Sequence, residues 1–234
     1  MRFKICGITK SDEITLLSRL AMDFAGIWYG VDGGHADLPF SRFRRLVSEA
    51  TATGSLEPVL VTFLNDLGKL RDVLARSRVR WVQLHSFQPP SLVLALKKAF
   101  TVRIGIIKVL HVHGRQCMEQ ALIGAYERAG VDIFLLDAAT ADGRIGSTGQ
   151  RLDSGIVHAL ADQLTKPFLL AGGISADNHG DYSHAVRHPR FLGVDVDTAA
   201  RGKDGRICGT SIEALSRSWA AAVEGGGRHA VELH

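Results

Sequence analysis

A thiol and a carboxyl group, Cys6 and Asp137, are the first candidates for chemistry because each directly follows a short apolar run. The runs are Phe3–Ile5 and Ile133–Leu136. A thiolate accepts a proton and a carboxylic acid donates one, so the pair could shift a double bond by moving protons between carbon and oxygen. An inert buried thiol, and a helix cap or ion pair, are the alternative interpretations of these two residues.

Glycines and polar residues follow other apolar runs. Gly172 and Gly173 would let a backbone approach a ligand, and their amides could hold a phosphate, although an ordinary turn fits equally well. The polar loop at residues 142–149 could be a lid over a site or a plain surface loop. The remaining candidate substrate-binding residues are His35, Gln83, Lys108, Gly146, Thr148, Asp197 and Thr198.

These residues must be positioned by eight apolar runs of strand length. Stretches of helical periodicity separate the runs. Runs of this kind are typical of buried parallel strands, and eight of them favour a closed (β/α)8 TIM barrel over a Rossmann-like sheet, which would need G-x-G-x-x-G after its first strand. We expect one barrel over residues 1–223 and a flexible tail over 224–234. The runs are Phe3–Ile5, Phe24–Trp28, Pro58–Phe63, Trp81–Leu84, Ile104–Val109, Ile133–Leu136, Pro167–Leu170 and Phe191–Val196.

Composition narrows the class of protein. The formal net charge of +4 comes from scattered basic residues, which suits an anionic or amino-sugar small molecule and argues against nucleic acid. No apolar run reaches the ~20 residues of a membrane helix, and the first ten residues contain no secretory signal, so we expect a cytoplasmic protein. The three cysteines contain no CxxC pair, and His111 and His113 have no evident third ligand, so we expect no metal site.

An ordered series of motifs resembles the phosphoribosylanthranilate isomerase family, the (β/α)8 enzymes of tryptophan biosynthesis. The motifs are KICGIT (4–9), VQLH (82–85), LLD (135–137), GSTG (146–149), LAGGIS-x-DN (170–178), GVDV (193–196) and GKD (202–204). The resemblance implies an Amadori rearrangement of an N-linked phosphoribosylamine to a 1-amino-2-ketose. It makes Cys6 the general base and Asp137 the general acid, and it implies no cofactor.

Two departures from the family pattern affect the ends of the implied substrate. The family's Ser-Pro-Arg after the second strand, whose Arg helps hold the anthranilate carboxylate, is replaced by Gly-Gly and His35. A neutral imidazole cannot make a bidentate charged contact, so a protonated His35, Arg42, Arg144 or Arg201 would have to take over. Asp197 and Thr198 stand where the family has Ser-Ser-Gly, and a carboxylate facing a phosphate is repulsive.

Three functions remain open at this point. The first is the isomerase itself, with compensating residues. The second is a divergent relative in specialised biosynthesis that performs an isomerisation, ring opening or related proton transfer on another amino sugar or on a non-phosphorylated ligand. The third is a barrel that binds a ligand without catalysis, because one fold can host many functions. A monomer and a homodimer are equally compatible with the sequence.

Overall fold

A computed structural model of the chain describes residues 1–139 and 151–224. Its central feature is a ring of eight parallel strands, which run in the order β4-β3-β2-β1-β9-β8-β7-β5 and close by pairing of β4 with β5. The predicted (β/α)8 barrel is therefore confirmed. The strands are β1 (Arg2–Ile5), β2 (Phe24–Trp28), β3 (Glu57–Thr62), β4 (Trp81–Leu84), β5 (Gly105–His113), β6 (Gln116–Cys117), β7 (Ile133–Ala138), β8 (Phe168–Leu170) and β9 (Phe191–Val196).

Helices follow most strands and cover the outside of the ring. In the second helix the buried residues Phe43, Leu46, Val47 and Ala50 recur at helical spacing, so one face packs on the sheet. Asp66 caps the third helix by accepting a hydrogen bond from the Lys69 amide at 2.7 Å. The helices are α1 (Ser11–Arg19), α2 (Phe40–Ala52), α3 (Leu67–Ser77), α4 (Pro90–Ala99), α5 (Ile123–Ala129), α6 (Ser154–Ala161), α7 (Ser183–Val186) and α8 (Gly209–Glu224).

Alternate residues of each strand face either the helices or the inside of the ring. The inside is filled by an apolar cluster, so the barrel is a packed core rather than a pore. Polar side chains replace these residues at the carboxyl ends of the strands. The cluster consists of Phe24, Val59, Ile107, Val109, Ile133, Leu135, Leu169, Ala171 and Leu192.

The structure departs from the predicted elements most clearly around β5. This strand continues to His113, beyond the predicted end at Val109, and pairs with the antiparallel β6 as a hairpin. The stretch Met118–Ala129, whose sequence has helical periodicity, is a 3-10 turn followed by the shorter α5. The cause is local: Glu119 accepts a hydrogen bond from the His111 amide at 2.9 Å, which ties this segment to the strand.

Three further predictions concern membrane helices, the C-terminal tail and the loop after β7. Among the described residues, no helix is long and apolar enough to cross a membrane. The predicted tail beyond Glu224 and the loop with Gly146, Thr148 and Arg144 lie outside the described residues.

Candidate active site

Cys6 lies directly after β1 and its thiol is buried at the carboxyl end of the barrel. The indole Nε1 of Trp28 donates a hydrogen bond to Cys6 Sγ at 3.2 Å, which fixes the direction of the thiol. A Cβ on Gly26, in the neighbouring β2, would come within 2.9 Å of Cys6 Sγ and 3.0 Å of Lys4 Nζ. The absence of a side chain at Gly26 therefore makes room for both functional groups.

A buried ion pair lies one step deeper in the barrel. Lys4 Nζ donates to Asp195 Oδ2 at 2.7 Å, and both side chains are almost fully buried. Burial acts to lower the pKa of Lys4, but the charge and hydrogen bond of Asp195, with those of Cys6 when it is ionised, outweigh it, so the net pKa is raised. Lys4 is therefore an ammonium ion beside the Cys6 thiol.

Burial raises the pKa of the Cys6 thiol to about 12. The Lys4 ammonium and the Trp28 hydrogen bond act in the opposite direction, while the carboxylates of Asp195 and Asp197 add to the rise. At neutral pH the thiol is protonated in this environment. Once formed, its thiolate is a strong base held next to a cation.

Asp137, in β7, places its carboxyl group in the same region of the barrel as Cys6. Its Oδ1 accepts a hydrogen bond from the Ala138 amide at 2.9 Å, and His85 Nε2 lies 3.2 Å from its Oδ2. The angles of this contact between His85 and Asp137 are not those of a hydrogen bond. Gln83 Nε2 donates to His85 Nδ1 at 2.9 Å, and with the amide in this orientation His85 carries its proton on Nε2, toward Asp137.

An open pocket at the carboxyl ends of the strands brings most of the predicted site residues together. Cys6 and Asp137 both line it, so one ligand can contact both groups. Active sites of (β/α)8 enzymes lie at this end of the barrel. The lining residues are Cys6, Trp28, His85, Asp137, Ala171, Gly172, Gly173, Ile174, Asp195, Val196, Asp197, Thr198 and Ala199.

The turn after β8 forms one wall of the pocket. Gly172 and Gly173 have φ values of +73° and +63°, a region that favours glycine. The buried Asn178 holds the turn, since its Nδ2 donates to Gly173 O at 2.8 Å and its Oδ1 accepts from the Ser175 amide at 2.9 Å. The turn is thus a fixed backbone surface that approaches the ligand space closely.

Asp197, which directly follows the neighbouring strand β9, is paired with a cation. Arg201 Nε donates to Asp197 Oδ1 at 2.7 Å, and Arg201 Nη2 donates to Gly7 O at 2.9 Å. His35 Nε2 lies 3.3 Å from Asp197 Oδ2, and its ring, half exposed at the rim, packs edge-on against Trp28. The repulsion that the sequence predicts between this carboxylate and an anion is therefore offset by Arg201.

Three of the predicted binding residues that the structure describes do not line the pocket: His35 stands at its rim, and Lys108 and Gln83 lie outside it. Lys108 points away from the barrel interior, and its Nζ donates to Ser86 O and to Val109 O, both at 2.7 Å. Burial lowers the pKa of Lys108 to about 8, although Glu119, 3.7 Å away, acts to raise it. Gln83 lies behind His85 and reaches the pocket only through that ring.

Sequence reasoning missed Lys4, Trp28, His85 and Asp195 as site residues. Their signal is the two-residue period of a strand, because Lys4 precedes Cys6 by two positions and Asp195 precedes Asp197 by two. Side chains at such positions project to the same face. His85 stands in the same relation to Gln83.

A family model described as N-(5'phosphoribosyl)anthranilate (PRA) isomerase matches residues 4–202. N-(5'-phosphoribosyl)anthranilate isomerase 2 of Methanosarcina mazei is 30% identical over 207 residues, which cover 88% of each chain.

Two solved structures share the fold. The phosphoribosyl anthranilate isomerase of Thermus thermophilus superposes with a TM-score of 0.75 at 20% identity, covering 94% of this chain and 99% of that one. A phosphoribosyl anthranilate isomerase in complex with reduced 1-(o-carboxyphenylamino)-1-deoxyribulose 5-phosphate gives a TM-score of 0.72 at 23% identity, covering 94% and 99%. The resemblance inferred from the ordered motifs is thus confirmed, and the chain belongs to the N-(5'-phosphoribosyl)anthranilate isomerase family.

Proposed function

We propose that this chain converts N-(5'-phosphoribosyl)anthranilate to its 1-amino-1-deoxyribulose isomer, with Asp137 as general acid and Cys6 as general base. The observation that carries the proposal is that these two groups, from β7 and from the end of β1, line one pocket. The substrate is the one for which the matching relatives are named.

Asp137 performs the first step. Its carboxylic acid gives a proton to the ribose ring oxygen, the C1–O bond breaks, and the nitrogen lone pair forms a C1=N iminium. The proton on His85 Nε2, 3.2 Å from Asp137 Oδ2, stabilises the carboxylate that is left. His85 is in turn oriented by Gln83.

Cys6 performs the second step. After its own proton has passed to solvent through the open pocket, the Cys6 thiolate removes the C2 proton, and the electron pair of that bond forms a C1=C2 double bond and neutralises the iminium. Transfer of the enol proton to C1 then gives the ketone, and a proton from solvent returns Asp137 to its acid form, so the reaction is an isomerisation with no net gain or loss of protons. Lys4 stabilises the thiolate by its charge, and Trp28 holds the sulfur in place.

The ends of the substrate are proposed to bind on two walls. The turn at Gly172 and Gly173, with the hydroxyl of Thr198, takes the phosphate, and Arg201 offsets the charge of Asp197 there. His35 at the rim faces the carboxylate of the anthranilate ring. Gly146 and Thr148 remain proposed contacts from the loop after β7, outside the described residues.

Several wider predictions accompany this function. The ligand is an anionic small molecule, no cofactor or metal takes part in the steps above, and the enzyme acts in the cytoplasm. The oligomeric state is a monomer or a homodimer.

The test is the decay of fluorescence of freshly formed N-(5'-phosphoribosyl)anthranilate on addition of the protein. We expect rapid decay with the wild type, and a fall of about 10²–10⁴-fold in kcat for Cys6→Ala and for Asp137→Asn. Matched controls are Cys208→Ser and Asp162→Asn, both outside the pocket lining, which should keep wild-type rates. No turnover by the folded wild type would reject the proposal and favour a different substrate.

A further inference from the structure

Asp195 lies beside the proposed base Cys6, and its negative charge opposes the ionisation that the base requires. It is the register partner of Lys4 on the adjacent strands β9 and β1, so both side chains project to the same side of the sheet. The Lys4 side chain is fully buried and that of Asp195 is 6% exposed. A carboxylate at this place adds to the rise that burial causes in the pKa of the Cys6 thiol.

Lys4 supplies the compensating charge for this carboxylate. Its Nζ donates to Asp195 Oδ2 at 2.7 Å, whereas Asp195 Oδ1 has no hydrogen-bond partner among the described residues. A buried carboxylate without a paired cation costs several kcal/mol, on the order of 3–5. The Lys4 ammonium is therefore engaged by Asp195 before any thiolate forms.

The same ammonium is the cation that a Cys6 thiolate would need. A Cβ on Gly26 would meet Cys6 Sγ at 2.9 Å and Lys4 Nζ at 3.0 Å, so the two functional groups border one point in the barrel. Among the charges that act on the thiol, that of Lys4 has the largest effect, and it lowers the pKa. Lys4 has three N–H donors for its neighbours but only one positive charge.

The charges of Lys4, Asp195 and Cys6, called the trio below, are linked by this shared cation. With Cys6 as a thiol the trio is neutral, because one cation faces one anion. Ionisation of Cys6 leaves two anions around one cation in a buried site, which is electrostatically unfavourable. A new positive charge in the pocket removes this penalty, and the iminium of the substrate is such a charge.

Other charged groups also face the trio. They are Asp137 from β7, His85 after β4, and Asp197 and Arg201 after β9. The first three change the pKa of Cys6 or of Asp195 less than burial and the Lys4 ammonium do. All four remain in the variants below, so the comparison isolates the charges of Lys4 and Asp195.

We infer that Asp195 and Cys6 compete for the Lys4 ammonium, so that Asp195 is a positioning residue that keeps the base protonated in the free enzyme. The inference rests on the proposed function for the identity of the base. It gives Asp195, which takes no part in the steps above, control over when the thiol loses its proton. The thiolate then forms when the iminium stands in the pocket.

The experiment measures how fast iodoacetamide alkylates Cys6 between about pH 7 and 10, in a Cys208→Ser background that removes the partly exposed thiol. We expect Asp195→Asn, which removes the charge and keeps the shape, to accelerate alkylation about ten-fold at each pH, because one pKa unit changes the thiolate fraction by that factor. Asp162→Asn, on an exposed side chain at the end of α6, is the matched control and should keep the wild-type rate.

A double variant shows whether the acceleration depends on the cation. Lys4→Met with Asp195→Asn carries neither charge, so we expect alkylation at least about ten-fold slower than in Asp195→Asn alone. Equal rates in these two variants would mean that the asparagine merely opens the site, and would overturn the inference. An unchanged rate in Asp195→Asn would overturn it as well.

The double variant also decides the matter if Asp195→Asn does not fold. Alkylation slower than in the wild type supports a cation shared with Cys6, and a rate at or above that of the wild type overturns it. Circular dichroism establishes which variants are folded.

Turnover gives an independent measurement. The rise of kcat/KM with pH reports the free enzyme, and it should begin about one pH unit lower in Asp195→Asn than in the wild type. A purely structural role would lower kcat/KM at every pH without moving this rise, and that result would contradict the inference. Alkylation needs no substrate, so a wild type that fails to turn over phosphoribosylanthranilate rejects the proposed function while the alkylation rates still decide the competition for Lys4.

Discussion

The Cys6 thiol occupies the space that a side chain at Gly26 would need, since a Cβ on Gly26 would lie 2.9 Å from Cys6 Sγ. Cβ atoms in folded proteins do not approach a sulfur this closely, so an alanine at this position must displace the thiol. The same Cβ would lie 3.0 Å from Lys4 Nζ. A glycine at position 26 therefore lets the Cys6 thiol and the Lys4 ammonium keep their positions.

Gly26→Ala should therefore reduce catalysis without unfolding the barrel. A shift of a catalytic group by about 1 Å can cost about 10²-fold, so we expect kcat to fall about 10–100-fold with a smaller change in KM. Steady-state kinetics and circular dichroism measure the two effects. Gly180→Ala, where an added Cβ meets nothing within 4 Å, is the matched control; wild-type kcat in Gly26→Ala would contradict the argument.

The Arg201–Asp197 pair leads to a prediction about binding rather than chemistry. Arg201→Met leaves the carboxylate of Asp197 without its 2.7 Å partner beside the proposed phosphate site. We expect KM to rise about ten-fold, with kcat less affected, because two anions then face each other at short range. Inhibition by inorganic phosphate should weaken in parallel.

The double variant separates repulsion from loss of structure. Asp197→Asn in the Arg201→Met background removes the negative charge and should bring KM most of the way back to the wild-type value. If the double variant binds as poorly as Arg201→Met alone, then the arginine acts through the backbone carbonyls of Gly7 and Gly205, to which it also donates, and not through charge.

The positions of Cys6 and Asp137 could be predicted because residues after parallel strands converge at one end of a barrel. The direction of Lys108 could not. The strand around it is buried on both faces, with Ile106 and Leu110 on one face and Ile107 and Val109 on the other, so no alternation of polar and apolar residues shows which face looks inward.

The pairing of His111 with Glu119 was also beyond the sequence. It depends on the hairpin of β5 and β6, which returns the chain over the strand end. The sequence shows helical periodicity over Met118–Ala129, directly after the hairpin, and no pattern in it indicates the hairpin itself. The ion pair of Asp197 with Arg201 likewise depends on the turn between them, which a spacing of four residues alone does not reveal.

Lys108→Met tests whether this residue holds the fold or the substrate. Its ammonium satisfies two carbonyls outside the pocket lining, so we expect a loss of about 1–3 kcal/mol, a fall in Tm of roughly 3–10 °C, and a KM within about two-fold of the wild type. Thermal unfolding and steady-state kinetics measure these. A raised KM with an unchanged Tm would return Lys108 to the substrate-binding role that its position in the sequence suggests.

The cysteines should differ sharply in reactivity. Hydrogen bonds from Thr210 and Ser211 lower the pKa of the partly exposed Cys208 to about 7, whereas burial raises that of Cys6 to about 12. Because the thiolate is the nucleophile, iodoacetamide at pH 7.5 should modify Cys208 first and leave activity intact. The reaction of Cys6 should accelerate about ten-fold per pH unit as the pH rises toward 12, since its thiolate fraction grows by that factor.

Peptide mapping by mass spectrometry measures both rates, and Cys208→Ser should abolish the fast phase while keeping turnover. Rapid modification of Cys6 at pH 7.5 with loss of activity would mean that the Lys4 ammonium outweighs burial and that the base is already ionised before substrate binds. Slow modification of Cys6 would mean instead that the thiol loses its proton only after the substrate has bound. The positive charge of the iminium, which forms when Asp137 protonates the substrate, then stabilises the thiolate.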